Sequence, residues 1–321
     1  MKKLSLLLII PLLLFSCSET EKSKTSFSIT ASDSLLEEPE DGRLLLFISQ
    51  EAEPEPRFQS GGGYNAQQVF GIDVEQWSGD PRIIGSDVFG YPVADLKDFP
   101  AGEYYVQALL HKYETFNLST GHIVKLPMNR GAGQNLRRAP GNLFSKPMKI
   151  NLDSSRNKTI EIELTEINPP IEPPEDTKYI KHIRMKSERL SEFWGRPIYL
   201  GAHVLLPEGF DEHPEARYPL CIFHGHYPRD FGGFRTEPPD EDIEPDYSAR
   251  FDVNGYNKIQ QEAAYDFYKT WISDDFPRMV IVEIQHSNPY YDDSYAVNSA
   301  SIGPYGDAIT YELIPYIEEK F

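Results

Sequence analysis

The pattern of apolar and polar positions changes character once along the chain. From Ser26 to about Thr165 it consists of short runs broken by Gly, Pro and Asn, and no stretch has helical period. The clearest runs are 43–49, 67–75, 103–111, 147–153 and 158–165. In the last, Ile160, Ile162 and Leu164 alternate with Glu161, Glu163 and Thr165. Period-two alternation with one wet face predicts half-buried antiparallel strands. A run of such segments without helices predicts a β-sandwich over residues 27–166. Gly102 followed by Tyr104 at a strand start is a feature shared with the tyrosine corner of immunoglobulin-like sandwiches. Residues 129–143 read as a long exposed loop.

Residues 168–176 (NPPIEPPED) hold four prolines and read as a stiff, extended linker, which we place at 167–178. Beyond it, in 179–321, strand and helix signals alternate. Residues 180–190 and 197–207 read as a hairpin pair across Gly195. Residues 218–224 and 278–285 are short apolar runs of the kind buried in a parallel sheet. Residues 257–272 have an apolar stripe at Ile259, Ala263, Phe267 and Trp271, and 307–321 have one at Ile309, Leu313, Tyr316 and Ile317. Pro315 inside the last segment has no explanation in the pattern. The expected fold class is therefore two-domain: an all-β, immunoglobulin-like sandwich, then an α/β unit with a mostly parallel sheet and flanking helices.

Composition narrows the function. The chain has 31 basic and 50 acidic side chains and a formal charge of −19, with no basic cluster evident in the sequence, which argues against a nucleic-acid partner. The acidic run 237–246 reads as a solvated surface insertion. Lys2 and Lys3 precede an apolar segment, 4–15, that is too short to span a bilayer permanently. It ends Leu14-Phe15-Ser16-Cys17, which resembles a bacterial lipobox. Residues 1–16 are then a signal peptide, 17–26 a lipidated Cys17 and its polar tether, and the protein is held outside the cytoplasm on a membrane of the cell envelope. Cleavage there would leave 29 basic residues against 50 acidic, or −21. Cys221, the only other cysteine, is expected to be a buried thiol within Leu220-Cys221-Ile222-Phe223.

The most pointed chemical feature is an apolar strand running into His224-Gly225-His226. Three readings stand: a turn presenting oxyanion donors, a His-x-His metal pair, or a plain strand-ending turn. The metal reading lacks further ligands nearby.

From about Ile180 onward the chain resembles the esterase branch of the α/β-hydrolases that includes enterochelin esterase and esterase D relatives. The residues that carry this are 204–210 (VLLPEGF), Tyr218-Pro219, the His-Gly turn, 303–309 (GPYGDAI) and 312–318 (ELIPYIE). The resemblance implies Ser-His-Asp/Glu hydrolysis of a carboxylic ester, with neither metal nor organic cofactor. It implies oxyanion donors near Gly225, His226 and Tyr227. The Tyr- and Asp-rich segment 285–305, at the carboxyl end of its strand, is expected to wall a cleft for glycan- or phenolic-linked substrates with His286, Tyr290, Tyr291, Asp292 and Asp293. No G-x-S-x-G turn occurs in the sequence. The resemblance therefore places nucleophile, acid and base beyond Phe321, making this chain a fragment that is inactive alone. The alternative is a non-catalytic surface lipoprotein that binds glycans or peptides through its sandwich.

Overall fold

A computed structural model describes residues 25–61, 66–153, 156–225 and 231–321. The signal segment and Cys17 lie outside the described residues. The first part of the chain forms β1 (Ser26–Ala31), β2 (Glu40–Ser49), α1 (Pro56–Gln59), β3 (Gln68–Trp77), β4 (Arg82–Ile84), β5 (Gly90–Tyr91), β6 (Gly102–Asn117) and β7 (Ile123–Leu126). It continues through β8 (Leu143–Phe144), β9 (Met148–Leu152), β10 (Thr159–Leu164) and β11 (Glu166–Ile167). Two sheets result. One is β10-β1-β4, with β1 and β10 parallel; the other runs β11-β8-β6-β2-β3-β5, with β7 and β9 also on β6.

The alternation at 160–164 buries Ile160, Ile162 and Leu164 against Phe27, Ile29, Leu44, Leu46 and Phe70. Each fully buried side chain of this kind contributes about 1.5–3 kcal/mol. Residues 129–143 correct the expectation of an exposed loop: Ala132, Ala139 and Asn142 are buried, and Gln134 Nε2 donates to the Asn288 carbonyl far along the chain.

The second part contains β12 (Ile180–Ser187), α2 (Glu188–Trp194), β13 (Ile198–Leu205), β14 (Leu220–Phe223), β15 (Tyr247–Ser248), β16 (Val253–Asn254), α3 (Tyr256–Trp271) and β17 (Val280–Gln285). The chain ends in α4 (Tyr305–Ala308), a π-helical turn at Ile309–Leu313, and α5 (Ile314–Lys320). The sheet order is β12-β13-β17-β14. The expected fold class is corrected here. Strands make up 35% of the structure against 17% helix, and of the three pairings in this sheet only β14–β17 is parallel. A mostly parallel sheet with flanking helices, the α/β-hydrolase architecture, is not seen. A continuous apolar run reports burial on both faces and carries no information on strand direction, so the sequence pattern overstated the parallel content.

Three local readings change with it. The strand pair expected across Gly195 forms, β12 and β13 being antiparallel, but its connection contains α2, capped by the Ser187 hydroxyl accepting from the Leu190 N–H and closed by Gly195 at φ 68°. Cys221 is exposed, because β14 lies at the sheet edge and Phe223 is 57% exposed beside it. In α3 Trp271 is buried and Phe267 packs beside it as the stripe requires, whereas Ile259 is 47% exposed and Ala264 takes the inward position expected of Ala263. Pro315 finds its account: the π turn just before it widens the helix where a proline would lack an N–H and crowd the preceding carbonyls.

The two parts share a core. Phe116 and Leu118, at and just past the end of β6, pack with Leu190, Phe193 and Trp194 of α2 and with Leu200 and Val282 of the second sheet. The Ser119 N–H donates to the Phe193 carbonyl at 2.8 Å. A Cβ on Gly195 would sit 2.3 Å from the Asn117 carbonyl oxygen. Gly195→Ala combines that overlap with a left-handed backbone, which costs about 1–2 kcal/mol by itself. We expect a loss of about 2–3 kcal/mol in urea unfolding; a loss under 0.5 kcal/mol would mean that the strand end and the helix are not in contact.

Candidate functional site

The parallel pair β14–β17 brings the carboxyl ends of both strands side by side. β14 leads into His224 and Gly225, and β17 leads into His286. His286 is 1% exposed and joins the two ends. Its Nε2 lies 3.1 Å from the Gly225 carbonyl oxygen, and its ring centroid is 6.3 Å from that of His224. On the other side the Ser294 N–H donates to Nδ1 at 3.0 Å, and the Ser294 hydroxyl is 2.7 Å from the same nitrogen. The Ser294 oxygen accepts from the Ala296 N–H, so its own proton points to the imidazole. These partners fix the tautomer: Nδ1 accepts, and Nε2–H donates to Gly225. Burial pushes the imidazole pKa below its usual value, offset in part by the hydrogen bond to Gly225, and the ring is neutral.

This arrangement fixes the Gly225 carbonyl but does not make a nucleophile. Ser294 is fully buried and its hydroxyl is occupied, and the far nitrogen of His286 meets a carbonyl where a catalytic histidine would meet a carboxylate. Among the described residues no group of three His, Cys, Asp or Glu side chains gathers as a metal site.

The loop after β17 is built around Asn288. Its Oδ1 accepts from the Tyr290 and Tyr291 N–H groups at 2.9 and 3.0 Å, and its Nδ2 donates to the Asp293 carbonyl at 2.9 Å. Pro289 sets the turn between them. Tyr290 is 40% and Tyr291 64% exposed, with ring centroids 6.2 Å apart, and Tyr290 also leans on Trp194 at 6.0 Å. Asp292 is exposed. Asp293 is buried, and its carboxylate accepts from the Tyr295 N–H. Of the residues expected in a cleft, Tyr290, Tyr291 and Asp292 are thus at the surface, while His286 and Asp293 hold the loop in shape. His226 and Tyr227 lie outside the described residues; Gly225 is half-buried. Sequence reasoning missed Asn288 and Ser294. The signal available was local: an Asn before Pro and a Ser after two Asp are common loop-closing positions.

Beneath the loop, the Tyr305 hydroxyl donates to the Ser287 carbonyl at 2.9 Å from a fully buried ring, and burial raises its phenol pKa. Toward the sandwich, the same loop walls a separate cavity of about 1080 Å³ bounded by Ser287, Asn288, β12, β13 and residues 168–174. No family model matches the chain, and no curated protein matches it significantly.

Proposed function

We propose that this protein is a carboxylic-ester hydrolase of the bacterial envelope, lipid-anchored at Cys17, acting on glycan- or phenolic-linked esters. The observation that supports it is the clamp by which buried His286 holds Gly225 at the carboxyl ends of a parallel strand pair. Ligands bind outside the carboxyl ends of parallel strands, where backbone groups released from the ladder face a crevice. A strand end held in place there suits stabilisation of a developing oxyanion, because fixed dipoles need no reorganisation during the reaction. The amides of His226 and Tyr227 are assigned as donors through the esterase resemblance alone. Exposed Tyr290 and Tyr291 provide aromatic faces beside hydrogen-bonding groups, which suit a sugar or phenolic portion of the substrate. No described serine has an accessible hydroxyl backed by a histidine–carboxylate pair, so the nucleophile is not assigned to any residue.

In this reading His286 is a positioning residue. With the protein as its native gene encodes it, His286→Ala should lower kcat for p-nitrophenyl acetate by about 10²-fold and leave KM within a few-fold. No hydrolysis by the wild type, or a change confined to KM, would overturn the reading.

A further inference from the structure

The cavity between the sandwich and the second sheet has a charge opposite to that of the protein. Its lining includes five arginines (Arg57, Arg130, Arg137, Arg138 and Arg184) and two histidines, against one acid, Glu172. The chain as a whole carries −19. Arg57 and Arg130 are spoken for: Arg57 pairs with Glu55 and Arg130 with Glu114. Among the described residues no carboxylate lies within ion-pair distance of Arg137, Arg138 or Arg184.

These three are nevertheless positioned. The Arg184 guanidinium lies 3.5 Å over the Tyr199 ring, so one face is stacked and the N–H edges are left for a ligand. Arg138 lies 5.5 Å over Phe58, a ring it shares with Arg57 at 4.4 Å. Arg137 is tied to the Ser60 carbonyl by one nitrogen, at 2.9 Å. Holding Arg57 and Arg138 around one ring works against electrostatics, and the Arg138 charge adds to burial in lowering the Arg57 pKa. Nearby unpaired guanidinium groups of this kind are relieved by an anion, and their planar forks match carboxylates in bidentate fashion. The rest of the wall is polar as well as apolar: amides of Asn129, Gln285 and Asn288, the Ser287 hydroxyl and the Tyr199 ring. Such walls suit a hydroxyl-rich ligand rather than an acyl chain.

We propose that this cavity binds an oligosaccharide bearing carboxylate groups, a uronic-acid oligomer, between Arg184 on the second sheet and Arg137–Arg138 on the sandwich side. The site stands apart from the Gly225 crevice and does not depend on the hydrolase reading. The test is calorimetric titration with trigalacturonate, with galactotriose as the neutral probe and inorganic phosphate as the free-anion probe. Trigalacturonate should bind saturably and weaken as salt rises. Arg138→Ala and Arg184→Ala, both exposed and remote from the cores, should each weaken it at least 10-fold, with circular dichroism unchanged. The proposal is overturned by absence of saturable trigalacturonate binding, by equal binding of galactotriose, by tighter binding of phosphate, or by variants that bind as the parent does.

Discussion

Truncating Trp194 to alanine should destabilise the protein by about 3–5 kcal/mol, and unfolding should remain a single transition seen by probes in the first part and in the β12-β13-β17-β14 sheet. Trp194 is fully buried and meets Phe116 of β6 at 5.3 Å, Phe193 at 5.4 Å and Tyr290 at 6.0 Å between ring centroids. Its loss would open a cavity where the longest sandwich strand, α2 and the loop over the candidate crevice all touch, and packed interiors relax only partly into such spaces. Trp194→Phe gives an informative comparison. The indole N–H is buried with no hydrogen-bond partner among the described residues. Phenylalanine loses contact area but also removes that unsatisfied donor, whose burial costs about 1–3 kcal/mol. It should therefore cost under half as much as alanine in urea unfolding. Equal losses would mean that the indole N–H is satisfied. Two separate transitions in the parent would mean that the sandwich and the second sheet do not share a core.

Acid should destabilise the protein through His111 by about 2.5 kcal/mol at pH 4.5, as computed from a folded-state pKa of about 4 against 6.5 unfolded. His111 is buried on β6, and burial, with the Arg130 charge as a smaller cause, disfavours its protonated form. The sign follows from proton counting. Above pH 6.5 the ring is neutral in both states and contributes nothing to the pH slope. Between 6.5 and about 4 the unfolded chain takes up a proton that the folded chain refuses, so stability falls as pH falls. His286, whose pKa is also lowered by burial, acts in the same direction. Asp41, Asp176 and Glu208 have pKa values lowered by their hydrogen-bond partners. Their contribution is present above their unfolded values and is lost as pH falls through the folded ones. Relief of net negative charge toward the isoelectric point near 4.8 works the other way. A variant isolates the histidine: His111→Gln should lose about 2.5 kcal/mol less than the parent between pH 7.5 and 4.5. Parallel pH profiles for the two proteins would contradict a neutral, buried His111.

The first, all-strand part was the more legible half, and the reason is local, although β10 pairs parallel with β1 where antiparallel strands were expected. In β10 the period-two alternation maps directly onto inward and outward faces, and Ile160, Ile162 and Leu164 are buried as the pattern requires. In the second half the informative facts are not local. Apolar composition marked 220–223 as interior, yet among the described residues β14 has a strand neighbour on one side only, and Cys221 is exposed. Alternating strand and helix signals suggested parallel pairing, but partner and direction are chosen by tertiary packing, and β13 runs antiparallel to both neighbours. The helix α2 was legible in hindsight from Ser187 as N-cap and Gly195 just past its end, signals outweighed by the apolar content of 180–190.

The candidate crevice was half legible. A strand running into His-Gly pointed to Gly225, and the Tyr- and Asp-rich segment pointed to the loop beside it. The bond joining them, from His286 to the Gly225 carbonyl, spans 61 residues and has no sequence signature. The arginine-lined cavity was hidden for the same reason. Arg57, Arg137–Arg138 and Arg184 come from three distant segments, and in an acidic chain none of them forms a basic run.

The most direct test of ester hydrolysis is labelling of the native protein, in whole-cell extracts of the cell that makes it, with a fluorophosphonate probe. Rapid, stoichiometric labelling of one serine is expected, lost on heat denaturation before probe addition and slowed by His286→Ala. A protein that stays unlabelled while folded, in the presence of a labelled control hydrolase, would contradict the assignment.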